Sequence, residues 1–172
     1  ALYWLLRMLD GGTDPLYLAR RILRIAIEDI GLADPRAQTI ALEAYQIYER
    51  LGYPEGELAL SNAVIYLAMA AKSNSAYLAY NDAKAFIKDQ CHQDVPIHLR
   101  NAPTKLMNDL NYGKEYRYAH NEPNGYAAGE KYFPDELDPI SFFRPTERGL
   151  EKKIKDKQDF LKSLDKEFKK RK

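Results

Sequence analysis

Nine prolines punctuate this chain of 172 residues, and six of them (Pro96, Pro103, Pro123, Pro134, Pro139 and Pro145) fall between positions 93 and 146. A proline inside a helix removes one hydrogen bond and clashes with the preceding turn, so that stretch is closed to long helices. The other three prolines mark where helices begin. Asp14-Pro15 and Asp34-Pro35 each place a capping acid before a proline at the first helical position. Pro54 follows Gly52 by two residues, so one helix ends at the glycine and the next starts at the proline. Gly31 ends another helix in the same way, and Ser73 is placed to cap the next. The punctuation predicts helices over about 2–10, 15–30, 35–51, 54–71 and 74–90.

Apolar periodicity supports these helices. In the second, Leu18, Ile22 and Ile25 with Leu16, Leu23, Ala26 and Ile30 form a wide stripe, while Arg20, Arg24 and Glu28 lie one turn apart on the other side. The fourth, from Leu58 to Ala71, is apolar nearly all round, through Leu60, Ala63, Val64, Ile65, Leu67, Ala68 and Met69. It is expected at the centre of the core. Residues 1–92 therefore read as a helical core.

The proline-rich zone, 93–146, also carries tyrosines and phenylalanines in numbers unsuited to a disordered linker. It reads as an irregular but ordered strap packed on the core, with one short helix near Thr104–Leu110. Residues 147–172 read as a single charged helix. They hold eleven basic and six acidic residues, a surplus of +5 against −4 for the rest of the chain. Leu150, Ile154, Leu161, Leu164 and Phe168 make a narrow stripe if Lys157 takes the missing position, its stem lying along one shallow seam. The fold class is all-α.

Functional chemistry is sparse. No GxxxxGK[ST] or GxGxxG loop occurs, so nucleotide binding through those loops is excluded. With 26 basic and 25 acidic residues, no overall charge draws the chain to nucleic acid. A single cysteine, Cys91, excludes an internal disulfide and fits a reducing compartment. No apolar run is long enough to span a bilayer. Cys91, His92, His98 and His120 lack any metal-ligand spacing, and a Cys91 nucleophile with either distant histidine has no supporting pattern. Glu28-Asp29 and Asp135-Glu136 read as surface charges. The stretch His98–His120 is the exception. There Arg100, Lys105, Lys114 and Arg117 alternate with Tyr112, Tyr116 and Tyr118, the mixture that contacts phosphates and stacks on bases. The simpler reading has the tyrosines packed on the core and the basic groups bonded to backbone carbonyls.

Several ordered motifs resemble one family. They are Ala1–Leu9 with Asp14-Pro15, Ala19-Arg20-Arg21, Glu28-Asp29-Ile30-Gly31-Leu32-Ala33-Asp34-Pro35, and Gly56-Glu57-Leu58-Ala59-Leu60. Lys72-Ser73-Asn74, His98-Leu99-Arg100, Pro103-Thr104-Lys105-Leu106-Met107 and Tyr118-Ala119-His120 complete the set. The chain resembles the C-terminal region of the RarA/MgsA replication-associated recombination AAA+ ATPases. That resemblance implies a helical domain like a clamp-loader collar, a homotetramer, and a parent ATPase working at stalled replication forks. It also implies ATP and Mg in an ATPase core outside this chain, contacts of the parent with DNA and single-strand-binding protein, and a cytoplasmic, nucleoid-associated bacterial setting. No catalytic residue is carried over. The apolar opening Ala1-Leu2-Tyr3-Trp4-Leu5-Leu6, without an initiator Met, likewise suggests a piece of a longer protein.

Two departures carry structural expectations. Ala71-Lys72-Ser73-Asn74 stands where the family has Pro-Lys-Ser-Asn, which predicts a helix that runs on. Leu110-Asn111-Tyr112-Gly113 replaces Leu-Gly-Tyr-Gly, and asparagine tolerates the left-handed backbone that the turn needs. The rival to an ATPase-associated module is a helical-repeat interaction scaffold, suggested by helix starts at about 15, 35, 54 and 74. No consensus shared between successive helix pairs supports it.

Overall fold

The breaks at Gly31, Gly52 and Ser73 are all present in the computed structural model, which describes residues 1–90 and 93–171. Among the described residues there are helices and no strands. They are α1 (Leu2–Asp10), α2 (Pro15–Ile25), α3 (Arg36–Leu51), α4 (Glu55–Met69), α5 (Ser75–Asp89), α6 (Lys105–Asp109) and α7 (Leu150–Arg171). Two compact units divide the chain. One is Ala1–Asn81 with Phe143–Lys155, and the other is Asp82–Phe142 with Asp156–Lys172.

In the first unit the caps follow the sequence. The Asp14 carboxylate accepts from the Leu16 and Tyr17 amides at 3.0 and 3.1 Å, satisfying two of the donors that a helix start leaves open. Asp34 accepts from the Arg36 amide at 3.3 Å, and Ser73 Oγ from the Ser75 amide at 3.2 Å. α2 is shorter than expected as a regular helix. Its last turn, Ala26–Ile30, widens to π-helical bonding before Gly31, whose φ of 51° turns the chain.

The core fills from α1 to α4. Leu5, Leu18, Ile22, Ile30, Leu60 and Leu67 interlock with Ala19, Ala26, Ala37, Ala41, Ala44 and Ala63, all buried. Small side chains on α3 let neighbouring helices approach closely, and Gly56 does the same at α4, where a Cβ would stand 2.9 Å from Tyr48 Cα.

Two expectations about α4 are corrected. The helix does not run on through Ala71. It ends at Met69, Ala70 turns extended, and Lys72 Nζ donates to the carbonyls of Leu67 and Ala70, closing the helix that the missing proline would have stopped. Nor is α4 buried all round. Leu60, Ala63 and Leu67 face the core, whereas Leu58, Ile65 and Met69 face outwards.

The second unit is irregular but ordered. Its short helix α6 is capped by Thr104, whose Oγ1 accepts from the Met107 amide at 3.3 Å. Asn111 and Gly113 take φ values of 61° and 68°, so the asparagine serves the turn as its left-handed tolerance predicts. In α7, Ile154, Leu161, Leu164 and Phe168 are half-buried, but two members of the expected stripe depart from it. Lys157 is exposed, with Nζ over the Phe160 ring at 5.3 Å. Leu150 is 40% exposed while its neighbour Glu151 is 0% exposed.

Candidate functional site

The four basic residues of the His98–His120 stretch have separate fates. The Arg117 guanidinium donates from Nε and Nη2 to the two Glu122 oxygens at 3.0 and 2.7 Å, and from Nη1 to the Ala128 carbonyl at 2.8 Å. It also lies over the Phe168 ring at 5.1 Å. A planar fork matched to a carboxylate is a strong, directional pair. The bonds from Arg117 hold the Glu122 carboxyl below its ordinary range. Arg100 Nε donates to the Val95 carbonyl at 2.5 Å, and its guanidinium meets Asp94 at 3.3 Å and covers the Tyr112 ring at 5.3 Å. Both arginines are half-buried, whereas Lys105 and Lys114 are exposed. Two of the quartet are thus engaged by carboxylates and carbonyls of their own unit, and two are exposed.

The histidines of the stretch are similarly occupied. His98 Nε2 lies 2.9 Å from the Lys131 carbonyl and 3.2 Å from Glu130, and His120 packs its ring on Tyr118 with centroids 4.9 Å apart. Among the described residues no group of three or more His, Cys, Asp or Glu is placed to hold a metal ion. The readings that use Cys91 and His92 lie outside the described residues. No described helix is long and apolar enough to cross a membrane.

A second anchor sits at Asp165 on α7. One oxygen accepts from Tyr126 Oη at 2.8 Å and the other from the Gly129 amide at 2.8 Å. Burial, with the adjacent Asp165 charge, pushes the Tyr126 hydroxyl up to about 12. Gly129, at φ 73°, is pressed against Phe168, and a Cβ there would stand 2.2 Å from the ring. In the same unit, Phe86 and Phe142 pack with ring centroids 5.6 Å apart. With Phe133, Pro134 and Leu137 they line an open apolar cleft of about 590 Å³.

Sequence reasoning missed the buried carboxylate of Glu151. Ser75 Oγ donates to it at 2.6 Å, the Thr146 amide at 2.7 Å and Ser73 Oγ at 2.9 Å. Burial alone would raise its pKa, but these bonds outweigh it and hold the group ionised below the usual carboxylate range. Gly149 completes the joint. At φ 52° it lies so close to the Ala33 carbonyl that a Cβ would stand 2.0 Å from the oxygen. Arg148 Nη1 donates to the Lys72 carbonyl at 3.1 Å. The signal in the sequence was one acid within the first turn of a basic helix, which reads as a dipole partner.

This chemistry fastens one segment of the chain to another. Large apolar side chains are exposed on many elements of both units, α1 and α4 of the helical unit among them. On α1, Leu5 is buried while Tyr3, Leu6, Met8 and Trp4, the last 67% exposed, are open. On α4 the open residues are Leu58, Ile65 and Met69.

Comparison with known proteins gives a consistent result. Residues 1–162 match the family described as "MgsA AAA+ ATPase C terminal". The replication-associated recombination protein A of Coxiella burnetii is 54% identical over 98% of this chain and 38% of its own length. The protein of the same name from Escherichia coli K12 is 53% identical over 96% of this chain and 37% of its own. The ATPase WRNIP1 of Dictyostelium discoideum is 43% identical over 82% of this chain and 16% of its own. The chain thus spans well under half the length of these relatives.

Proposed function

The chain belongs to the MgsA AAA+ ATPase C-terminal family, and from that premise we propose that it is the self-association module of a replication-associated recombination ATPase. The observation that carries this reading is the apolar outer surface of the helical unit, represented by Trp4 on α1 and Met69 on α4. A module whose task is to join copies keeps such surface open until the partner arrives. Closed symmetric assemblies reuse one surface in every subunit, and obligate ones are large and apolar.

In this reading the assembly is a homotetramer, and the parent works at stalled replication forks with its ATP and Mg held outside this chain. Contacts with single-strand-binding protein belong to that parent. Any DNA contact by the strap falls to Lys105 and Lys114, the members of the basic quartet that are exposed. Arg100 and Arg117 serve the fold.

Sedimentation equilibrium at tens of micromolar tests the main claim. A dimer or tetramer is expected, with the tetramer favoured and little changed by salt. A monomer at every concentration overturns the reading. For DNA, replacing Lys105 and Lys114 with Ala in the parent should weaken binding and flatten its salt dependence, with stability unchanged.

A further inference from the structure

We propose that Asn124-Gly125, in the 122–128 turn of the strap, is a latent deamidation site that Arg117 keeps closed. The pair is there for a backbone reason. The Tyr126 amide donates to the Pro123 carbonyl at 3.3 Å, and the two residues between them both have φ of 61°. A turn with two left-handed central residues selects Asn-Gly, since asparagine tolerates that conformation and glycine has no Cβ to oppose it. The same pair is chemically labile. Asn124 Cγ lies within five-membered-ring reach of the next backbone nitrogen, and glycine leaves that nitrogen unshielded. Both residues are exposed, so water and hydroxide reach them.

The reaction is a ring closure followed by hydrolysis. Hydroxide takes the Gly125 amide proton, the nitrogen attacks Asn124 Cγ, and the bond from Cγ to the carboxamide nitrogen breaks with release of ammonia. Water then opens the succinimide at either carbonyl. One opening leaves aspartate, and the other leaves isoaspartate, whose backbone is one carbon longer. The folded turn blocks the first step twice. The Gly125 N–H donates to the Glu122 carbonyl at 3.0 Å, which retains the proton. At ψ 14° the Gly125 nitrogen nearly eclipses the backbone nitrogen of Asn124, whereas ring closure requires it to eclipse Cβ. The turn must open before the ring can form.

Arg117 spans that turn. Its guanidinium binds the Glu122 carboxylate on one side of the pair and the Ala128 carbonyl on the other, and opening gives up those bonds. The chemistry is slow beside loop motion, so its rate follows the population of open turn. Isoaspartate would place its extra carbon between Pro123 and Tyr126, shifting Tyr126 away from Asp165. A transient opening of the strap thereby becomes permanent.

Peptide mapping by mass spectrometry, on chain held in mildly alkaline buffer with and without urea, tests the site. Asn124 should convert from amide to acid roughly tenfold or more slowly in the folded chain than in urea. Equal rates, or no conversion in urea, overturn the proposal. Arg117→Ala should speed conversion of Asn124 roughly tenfold, while Asn74-Ser75 in the helical unit keeps its wild-type rate. A folded variant that converts Asn124 at the wild-type rate overturns the role of Arg117. If Arg117→Ala fails to fold, seen as equal acceleration at Asn74, Glu122→Gln gives the same readout with a smaller acceleration confined to Asn124. Converted chain, separated by its added negative charge, should show a fast-exchanging isoaspartyl fraction across 118–130. Uniform wild-type protection there overturns the permanence of the opening.

Discussion

In the unit of residues 1–81 and 143–155, leucine, isoleucine and alanine side chains from four helices meet in one continuous buried cluster. In the unit of residues 82–142 and 156–172, Pro96 and Ala127 are the apolar side chains that reach full burial among the described residues. Aromatic rings cover the rest only in part, and polar staples carry the order. Arg117 grips Glu122 and the Ala128 carbonyl, Asp165 grips Tyr126 and Gly129, and Arg100 grips Val95 and Asp94. A cluster of apolar side chains degrades gradually when one is trimmed, because its neighbours relax into part of the gap. A staple fails as a unit, since removing one partner leaves the other half-buried and unsatisfied.

The largest loss is expected at Leu67. Leu67→Ala should lower the stability of the helical unit by about 2–5 kcal/mol through lost burial and a residual cavity. Denaturation followed by the fluorescence of the single tryptophan, Trp4, reads that unit. An unchanged midpoint would show that α4 does not support the core. Arg117→Ala is the matching cut in the strap. It strips Glu122 and the Ala128 carbonyl of their donors and should cost about 2–3 kcal/mol. Arg117→Lys should recover little of this, because an ammonium cannot form the two-pronged pair. Full recovery by lysine would mean that charge alone, without the fork, orders the strap. Amide hydrogen exchange across 112–130 is the measurement for both variants.

That difference also explains what was legible in the sequence. Helix periodicity, Asp-Pro starts and glycine stops are local signals, so α1 to α5 could be read from residues within a turn of one another. The turn through Asn111 and Gly113 was legible for the same reason. The staples were legible only in kind, as basic groups bonded to backbone carbonyls, and not in their partners. Arg117 reaches Ala128 and Phe168, and Tyr126 reaches Asp165, 39 positions away. Nothing within a turn of Arg117 tells a phosphate ligand from a structural fork. Glu151 was hidden more deeply, since its partners Ser73 and Ser75 lie 78 and 76 positions distant. The outer face of α4 was misread because hydrophobicity identifies a side chain that will be covered and is silent on whether its own subunit covers it.

Glu151 is a polar staple inside the apolar unit. Glu151→Gln keeps the shape but weakens the bonds from Ser73, Ser75 and the Thr146 amide, and should cost about 1–3 kcal/mol at neutral pH. Its folded pKa lies below the ordinary carboxylate range. The stabilisation is therefore complete above that range and is lost as pH falls through the folded value. Wild type should lose its advantage over Glu151→Gln on acidification. A constant difference at all acid pH values would show that the carboxylate's charge is not what the hydroxyls hold.

Tyr126 gives the smallest effect and the opposite sign. Burial, then the bond to Asp165, lifts its folded pKa to about 12 from the ordinary tyrosine value of about 10. The folded state thus holds the phenolic proton more tightly than the unfolded chain. Stability from this group is fully present below about pH 10 and is lost as pH rises towards the folded value. Tyr126→Phe removes one hydrogen bond to a carboxylate and should cost roughly 0.5–1.5 kcal/mol at neutral pH, a difference that should shrink in strong alkali. Tyrosinate absorbance of wild type minus Tyr126→Phe isolates the late-titrating group among the 13 tyrosines. The two carboxylate staples then bracket the molecule from opposite sides, with the Glu151 joint failing in acid and the Tyr126–Asp165 joint in alkali. A Tyr126 that titrates with the exposed tyrosines would show that Asp165 does not hold it, and would leave Gly129 and Phe168 to fix that part of the strap by packing alone.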